Sequence, residues 1–348
     1  MKKGFSIIYL LVFLGPFLLK SLVAQSVDIP SKHVGISFGN STKFTGLRFN
    51  FMDQDIESIN GISFSIWNSQ DEERITGSIN GLTFGLPMAY GSDYRNGVSI
   101  GIFGVGANKN VSGINIGGLA VGAGENISGI NIGGLAAGAG ENAYGINIGG
   151  LAAGAGQNLK GLNIGGLAAG AGEDLLGLNI GGLATGAGNN AGGLNVAGLV
   201  VGAGENLTGI NVAGLVVGSG EYSRGLNAAG LVVGAGEAVQ GINVAGLVVG
   251  GKRVEGISLA PIAGGREVTG LTVAPIYFTI RGDEEYMGYM KGVSVSAFNH
   301  IKGEQRGLSI GIVNIAHDLK GVQIGLINIA KSNRKGLKVL PVFNAPFK

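Results

Sequence analysis

The sequence predicts an all-β protein of tandem 14–16-residue repeats, wound into a parallel β-solenoid. Three observations carry this. A glycine recurs every 16 residues, at Gly113, Gly129, Gly145, Gly161, Gly177, Gly193, Gly209, Gly225 and Gly241. The residues after each glycine alternate apolar, polar, apolar, which is the period-2 signature of a strand. No sustained 3.6-residue period follows the first two dozen residues, so helix is not expected. Self-similarity at a fixed short period is the mark of stacked repeat architectures.

A typical repeat runs GINIGGLAAGAGENAY, from Gly129 to Tyr144. Its glycine is counted as position 1 of the repeat. Weaker copies start at Gly35, Gly46, Gly61, Gly81 and Gly97, and again at Gly256, Gly270, Gly292, Gly307, Gly321 and Gly336, for about twenty repeats in all. Position 2 is aliphatic throughout, as at Leu47, Ile62, Ile114, Ile146 and Val322. Position 3 is polar, and in the regular block it is always asparagine: Asn115, Asn131, Asn147, Asn163, Asn179, Asn195, Asn211, Asn227 and Asn243. Position 4 is apolar again, as at Phe49, Phe64, Ile116 and Val244.

Ordinary amphipathic reasoning places positions 2 and 4 inside and position 3 outside. Ile114, Ile130 and Ile146 are then an internal stack, and the asparagines an outer amide ladder. On that expectation Ile146→Asp is costly and Asn147→Asp mild. Positions 5 and 6, Gly117-Gly118 or Ala197-Gly198, and Pro261, Pro275 and Pro341 at the sixth place, mark a bend, because proline cannot donate to a ladder and glycine permits unusual dihedrals. A second short strand is expected to follow, with Leu119 and Val121 on one side, and then a turn such as Gly124-Glu125-Asn126. One repeat has too few apolar side chains to offset its own ordering entropy, so neighbours must share edges and faces.

An antiparallel outer-membrane β-barrel of about 20 strands is the alternative. Three features oppose it. The regular block has only Tyr144 and Tyr222 with which to build aromatic girdles. Its connections are uniform, where barrels alternate short turns with long loops. Its bend glycines and prolines would fall within paired strands.

The organisation reads as a signal peptide at 1–24, irregular β-repeats at 25–112, the regular block at 113–250 and irregular β-repeats at 251–348. Lys2 and Lys3, the apolar run Phe5 to Leu19, and Leu22-Val23-Ala24 before Gln25 have the order of a secretory signal. Its removal changes the net charge from +2 to −1, because Lys20 leaves with Lys2 and Lys3. That balance gives no reason to expect a nucleic acid partner. Residues 113–250 carry two basic and seven acidic groups, and residues 251–348 thirteen and seven, so the C-terminal third is the better contact for anionic envelope material, while the plainer reading is ordinary solvated charge. The chain has no cysteine, which excludes disulfides, thiolate metal sites and a lipid-modified N-terminal cysteine.

Catalytic chemistry is not legible. Gly246 to Arg253 approaches a phosphate-binding loop, but Arg253 stands where the magnesium-binding hydroxyl belongs. His33, His300 and His317 have no paired spacing for a metal. The turn acids Glu125, Glu141, Glu173, Asp174, Glu205, Glu221 and Glu237 would stack into a negative row, and the plainer reading is a solvated turn face. Asp283-Glu284-Glu285 reads as a loop tip. No cofactor and no metal are expected. The asparagine column is the best candidate site, able to bind sugar polymers, a neighbouring envelope protein or ice through a flat face. The plainer reading is that the amides satisfy one another.

Gly307 to Ala316 and Gly321 to Ala330, the latter GVQIGLINIA, resemble a family of bacterial surface-repeat proteins with the unit G-[VL]-Q-[IV]-G-[LI]-[IV]-N-[IV]-A. The match is good over 292–345 and looser over 46–291, where Asn115 replaces the glutamine and Gly118 and Ala120 replace bulkier residues. The resemblance implies a surface or envelope location and no catalytic residues. The expected role is that of a non-catalytic envelope protein, structural or binding, with envelope polysaccharide or another envelope protein as partner and membrane association possible; a barrel with a transport role is the alternative. With its aliphatic stacks enclosed, such a chain is expected to be soluble without detergent and to pair edge to edge at exposed end coils.

Overall fold

The computed structural model describes residues 26–67, 71–282 and 287–347. The expected signal peptide and the Asp283-Glu284-Glu285 loop tip lie outside them. The chain divides into two compact units, Met1–Ala123 and Gly124–Lys348. Both are parallel β-solenoids, with about 18 turns between them and a repeat of about 16 residues. The fold is the predicted solenoid and not the barrel.

Each regular turn holds one long strand and one short one. Asn142–Gly149 and Ala152–Ala155 make one turn, Asn158–Gly165 and Ala168–Ala171 the next. The pairing is parallel and in register: Gly145 lies beside Gly161, Ile146 beside Leu162, Asn147 beside Asn163. A 16-residue sequence repeat therefore becomes a one-turn structural repeat, and every side chain lies between its own counterparts. Parallel ladders sit about 4.8 Å apart.

The long strand bends at position 1. Gly145 has φ +100°, and a Cβ there would meet the carbonyl oxygen of Gly129 at 2.3 Å. The register glycine is thus required both by its conformation and by the approach of the neighbouring turn. The chain turns again at Gly150-Leu151, where the sequence placed its bend, and at Gly156-Gln157.

The first unit begins with an antiparallel hairpin, Ser26–Ser31 against Val34–Gly39, before parallel winding starts with Lys43–Met52. In the second unit Val339–Asn344 runs antiparallel to Val322–Ala330, so Gly336 opens a return strand and not a further coil. The end strands are antiparallel: Ser26–Ser31 lies on the first coil of one unit and Val339–Asn344 on the last coil of the other, so the ladder ends on these short strands.

Deleting Gly161–Leu176 joins Lys160 to Gly177 and restores every register. We expect that variant to keep its β circular dichroism and to melt within about 5 °C of the parent. Deleting the eight residues Gly161–Ala168 sets long strands against short ones and should unfold the second unit.

Candidate functional site

The inside and outside of the coil are the reverse of the amphipathic expectation. Asn147 is 0% exposed, as are Asn115, Asn131, Asn163, Asn179, Asn195, Asn211, Asn227 and Asn243. Positions 5, 9 and 15 also point inward, as Gly149, Ala153 and Leu159 do. Ile146 and Ile148 are half-exposed, and Leu151 is 46% exposed. Ile114, Ile130 and Ile146 are therefore an outer row and not an internal stack. Leu119 and Val121, expected on one side, are separated: Leu119 is exposed at the turn and Val121 is buried.

The reversal follows from the width of the coil. A Cβ at Gly149 would meet the carbonyl oxygen of Ala152 at 1.8 Å, so the two walls of one turn touch where position 5 faces the short strand. At that corner the lumen is too narrow for stacked isoleucines, although it encloses Ile127, Leu159, Leu175 and Leu207 at position 15. It does admit asparagines, provided that every amide is paired. Asn147 Nδ2 donates to Asn163 Oδ1 at 2.9 Å and Asn163 Nδ2 to Asn179 Oδ1 at 2.8 Å. The chain of donations continues to Asn243. It stops there because Ser258 takes the next place, and Asn243 Nδ2 has no partner among the described residues. The asparagines thus form the predicted ladder, but as a buried spine and not as a binding face.

A second ladder escaped the sequence reading. Position 14 carries Asn126, Asn142 and Asn158, half-buried, with Asn142 Nδ2 donating to Asn126 Oδ1 and Asn158 Nδ2 to Asn142 Oδ1, each at 2.8 Å. Its signal was present as the recurrence of asparagine two residues before each position 16. A third runs through Asn299, Asn314 and Asn328, donor to acceptor at 2.7 Å, on the short-strand wall.

The outer surface is segregated. Between Gly129 and Val248, positions 2, 4, 7 and 8 hold only Ile, Leu, Val and Ala. Positions 2 and 4 lie on one face, position 8 on the next, and the exposed leucine of position 7 forms the corner between them. Every charged residue between Gly124 and Gly250 falls at position 13, 14 or 16, as Glu141, Asp174 and Lys160 do. The coil therefore has an apolar edge and a polar edge. The turn acids lie on the polar edge, where Lys252 follows Glu237 and pairs with it, and Arg266 follows in the backbone ladder.

The first unit repeats the pattern with aromatic residues. Phe38, Phe49, Phe64 and Phe84 stack at position 4, with centroids 5.0–5.4 Å apart. Phe38 is 53% exposed. The corner at positions 6 and 7 carries Phe51, Trp67 and Phe103, all exposed. The lumen of this unit holds a charged cluster. Arg48 donates from Nη1 to Asp53 Oδ1 at 2.6 Å; Asn50 and Ser65 donate to the same carboxylate. Arg95 is also fully buried, its Nε donating to the Gly106 carbonyl at 3.3 Å while Nη1 and Nη2 have no partner among the described residues. Burial pushes the Arg95 guanidinium down to about 10; Asp53 opposes that shift and Arg48 adds to it.

Among the described residues, no three His, Asp or Glu side chains gather as a metal site would need, and no helix is long and apolar enough to cross a membrane. No protein-family model, curated protein or solved structure matches the chain.

Two substitutions test the reversal and one the cluster. Asn147→Asp places a carboxylate in the spine and strips Asn163 of its donor, so it should destabilise the protein by at least about 2 kcal/mol more than Ile146→Asp in chemical denaturation. Asp53→Asn leaves two buried guanidiniums without a counter-charge and should cost about 3–5 kcal/mol, read from the unfolding of the first unit by Trp67 fluorescence.

Proposed function

We propose that this chain is an exported, non-catalytic envelope protein whose solenoid has a structural or binding role. The carrying observation is the outer surface: a regular, ladder-paired coil that presents long rows of aliphatic side chains to its surroundings. Contiguous exposed apolar surface beyond a few hundred Å² marks a contact with another apolar body. The rows need a rigid platform, and the inter-turn ladders provide one. Side chains that carry chemistry are instead locked in ladders, as in the spine, or set singly along the polar edge.

The N-terminal order of basic, apolar and small residues supports export, and the resemblance of Gly307 to Ala330 to surface-repeat units supports an envelope location. Expression in a Gram-negative host, followed by fractionation and mass spectrometry of the N-terminus, tests the reading. We expect a mature chain starting at Gln25 and recovered with the envelope. Recovery of the intact chain from the cytoplasm would exclude it.

A further inference from the structure

We propose that the apolar edge is a lipid-contacting surface: the solenoid lies along a membrane with that edge among the acyl chains and the polar edge in water. This names the partner for the binding role above and rests on that reading. Four observations select lipid over protein as the occupant.

The first is shape. The apolar surface is not one flat face; it wraps a convex corner, from positions 2 and 4 past the position 7 leucine to position 8. A second rigid coil can cover either face but not both around the ridge between them. Acyl chains, being fluid, cover both.

The second is chemistry. Protein interfaces carry about one hydrogen bond per 100–200 Å², are enriched in aromatic residues, Met and Arg, and are rimmed by polar groups. Over the eight turns from Gly129 to Val248, positions 2, 4, 7 and 8 offer no side-chain donor or acceptor. Their backbone groups are engaged in the ladders between turns. Such a surface has nothing with which to specify a protein partner, and nothing that is costly to bury in hydrocarbon.

The third is extent. Eight turns at about 4.8 Å and the six steps of about 3.3 Å from position 2 to position 8 give a strip about 38 Å by 20 Å. That matches the roughly 800 Å² per partner of a stable interface, yet the strip has none of an interface's polar features.

The fourth is the placement of charge. Glu125, Glu141, Glu205 and Glu221 occupy the corner at position 13, across the coil from the leucine corner. This is the separation that seats an amphipathic helix in a membrane interface, with its apolar side about 5–10 Å deep. Here a β-coil achieves it. In the first unit the corner at positions 6 and 7 bears Phe51, Trp67 and Phe103, residue types found on the apolar side of interfacial segments.

Flotation of the full chain with phosphatidylcholine vesicles tests the proposal. The protein should float with the vesicles, equally at low salt and at 1 M salt, where charge attraction is screened to about 3 Å. Trp67, the single tryptophan, reports independently. Its emission should shift to shorter wavelength on the vesicles and be quenched by lipids brominated on their acyl chains. Combining Phe103→Asp with Leu151→Asp, Leu167→Asp and Leu183→Asp alters exposed corners only. It should lower partitioning by about tenfold or more while leaving the β circular dichroism unchanged. Glu141→Lys and Glu205→Lys on the opposite edge should leave partitioning unchanged.

Wild-type protein that stays at the bottom of the gradient and sediments as a dimer, reverting to monomer in the corner variant, would overturn the proposal in favour of self-pairing. Flotation unaltered by the corner substitutions, or lost at high salt, would also overturn it. If the corner variant does not fold, the same bromolipid quenching read from Leu167→Trp in a Trp67→Phe background, a reporter on the corner of the second unit, decides alone. These results are separable from the export reading: an exported chain that does not float refutes only the lipid contact, and a cytoplasmic chain that floats refutes only export.

Discussion

Everything in this molecule depends on the identity of neighbours. In a parallel coil of constant length, the residues above and below any side chain are its own copies, about 4.8 Å away. A side chain is therefore acceptable inside only if it is complementary to itself. Asparagine meets that condition with one amide donor pointing along the stack and one carbonyl accepting from the other direction. Aspartate or lysine in the same column would set like charges against each other without solvent. The Asn147–Asn163 bond at 2.9 Å and its repeats along the spine are this condition satisfied turn after turn. Where the chain departs from it, as at Arg48 and Arg95 in the first unit, a carboxylate from outside the strict repeat, Asp53, supplies the missing charge.

The second constraint is the width of the lumen, and the sequence adjusts it in a coordinated way. In turns starting at Gly145, Gly161 and Gly177 a glycine stands at position 5, opposite an alanine or threonine at position 9: Gly149 with Ala153, Gly165 with Ala169, Gly181 with Thr185. From Gly193 onward both positions enlarge together, as Ala197 with Val201 and Ala213 with Val217, and all four of these are buried. In the regular block position 5 enlarges only where position 9 is valine; the reverse does not hold, since Val121 stands opposite Gly117 and Thr185 opposite Gly181. A methyl group at Gly149 meets the Ala152 carbonyl oxygen at 1.8 Å, whereas Ala197 holds that methyl in a turn that has widened to admit a valine. Position 4 alters in step, from Ile180 to Val196, although it lies outside. The core thus combines small residues and amides at positions 3, 5 and 9 with larger aliphatics at position 15, as Ile127, Leu159, Leu175 and Leu207, and backbone ladders join the turns.

Period, strand content and parallel winding were legible in the sequence because they follow from spacing, and spacing is independent of which face is inside. The choice of face was not legible from Ile146, Asn147 and Ile148 alone. An apolar–polar–apolar triplet defines two faces and leaves their assignment to the usual preference for burying apolar side chains. The deciding information sat in Gly149, read only as part of a bend, and in Ala153, read only as part of a second short strand. Gly149 and Ala153 are too small to belong to a wall that encloses stacked isoleucines; they fit a wall that closes on itself. Once they are inside, the period of two forces Asn147 inward, since it shares a face with Gly149, and sends Ile146 and Ile148 outward. The ladder at position 14 was equally visible as a recurrence, but Asn126 and Asn142 were read as part of a turn. The buried Arg48–Asp53–Arg95 group lay beyond reach, because Asp53 follows the strand that carries Arg48 and only the winding brings it beneath the guanidinium.

An inverted coil also changes what repetition achieves. Each added turn of an ordinary solenoid extends an enclosed core and leaves the surface chemically unchanged. Here each turn adds about four aliphatic side chains to the outside, in strict alignment with those already present, while the spine gains one self-paired amide. The apolar edge therefore lengthens in proportion to the number of turns, without any new requirement on the interior. The loss of rotational and translational freedom on association is incurred once for the whole coil, whereas apolar burial accumulates with every turn. A shallow contact that would be weak for one repeat becomes firm for eight, and its strength is set by the count of repeats, a quantity that tandem duplication alters without disturbing any register.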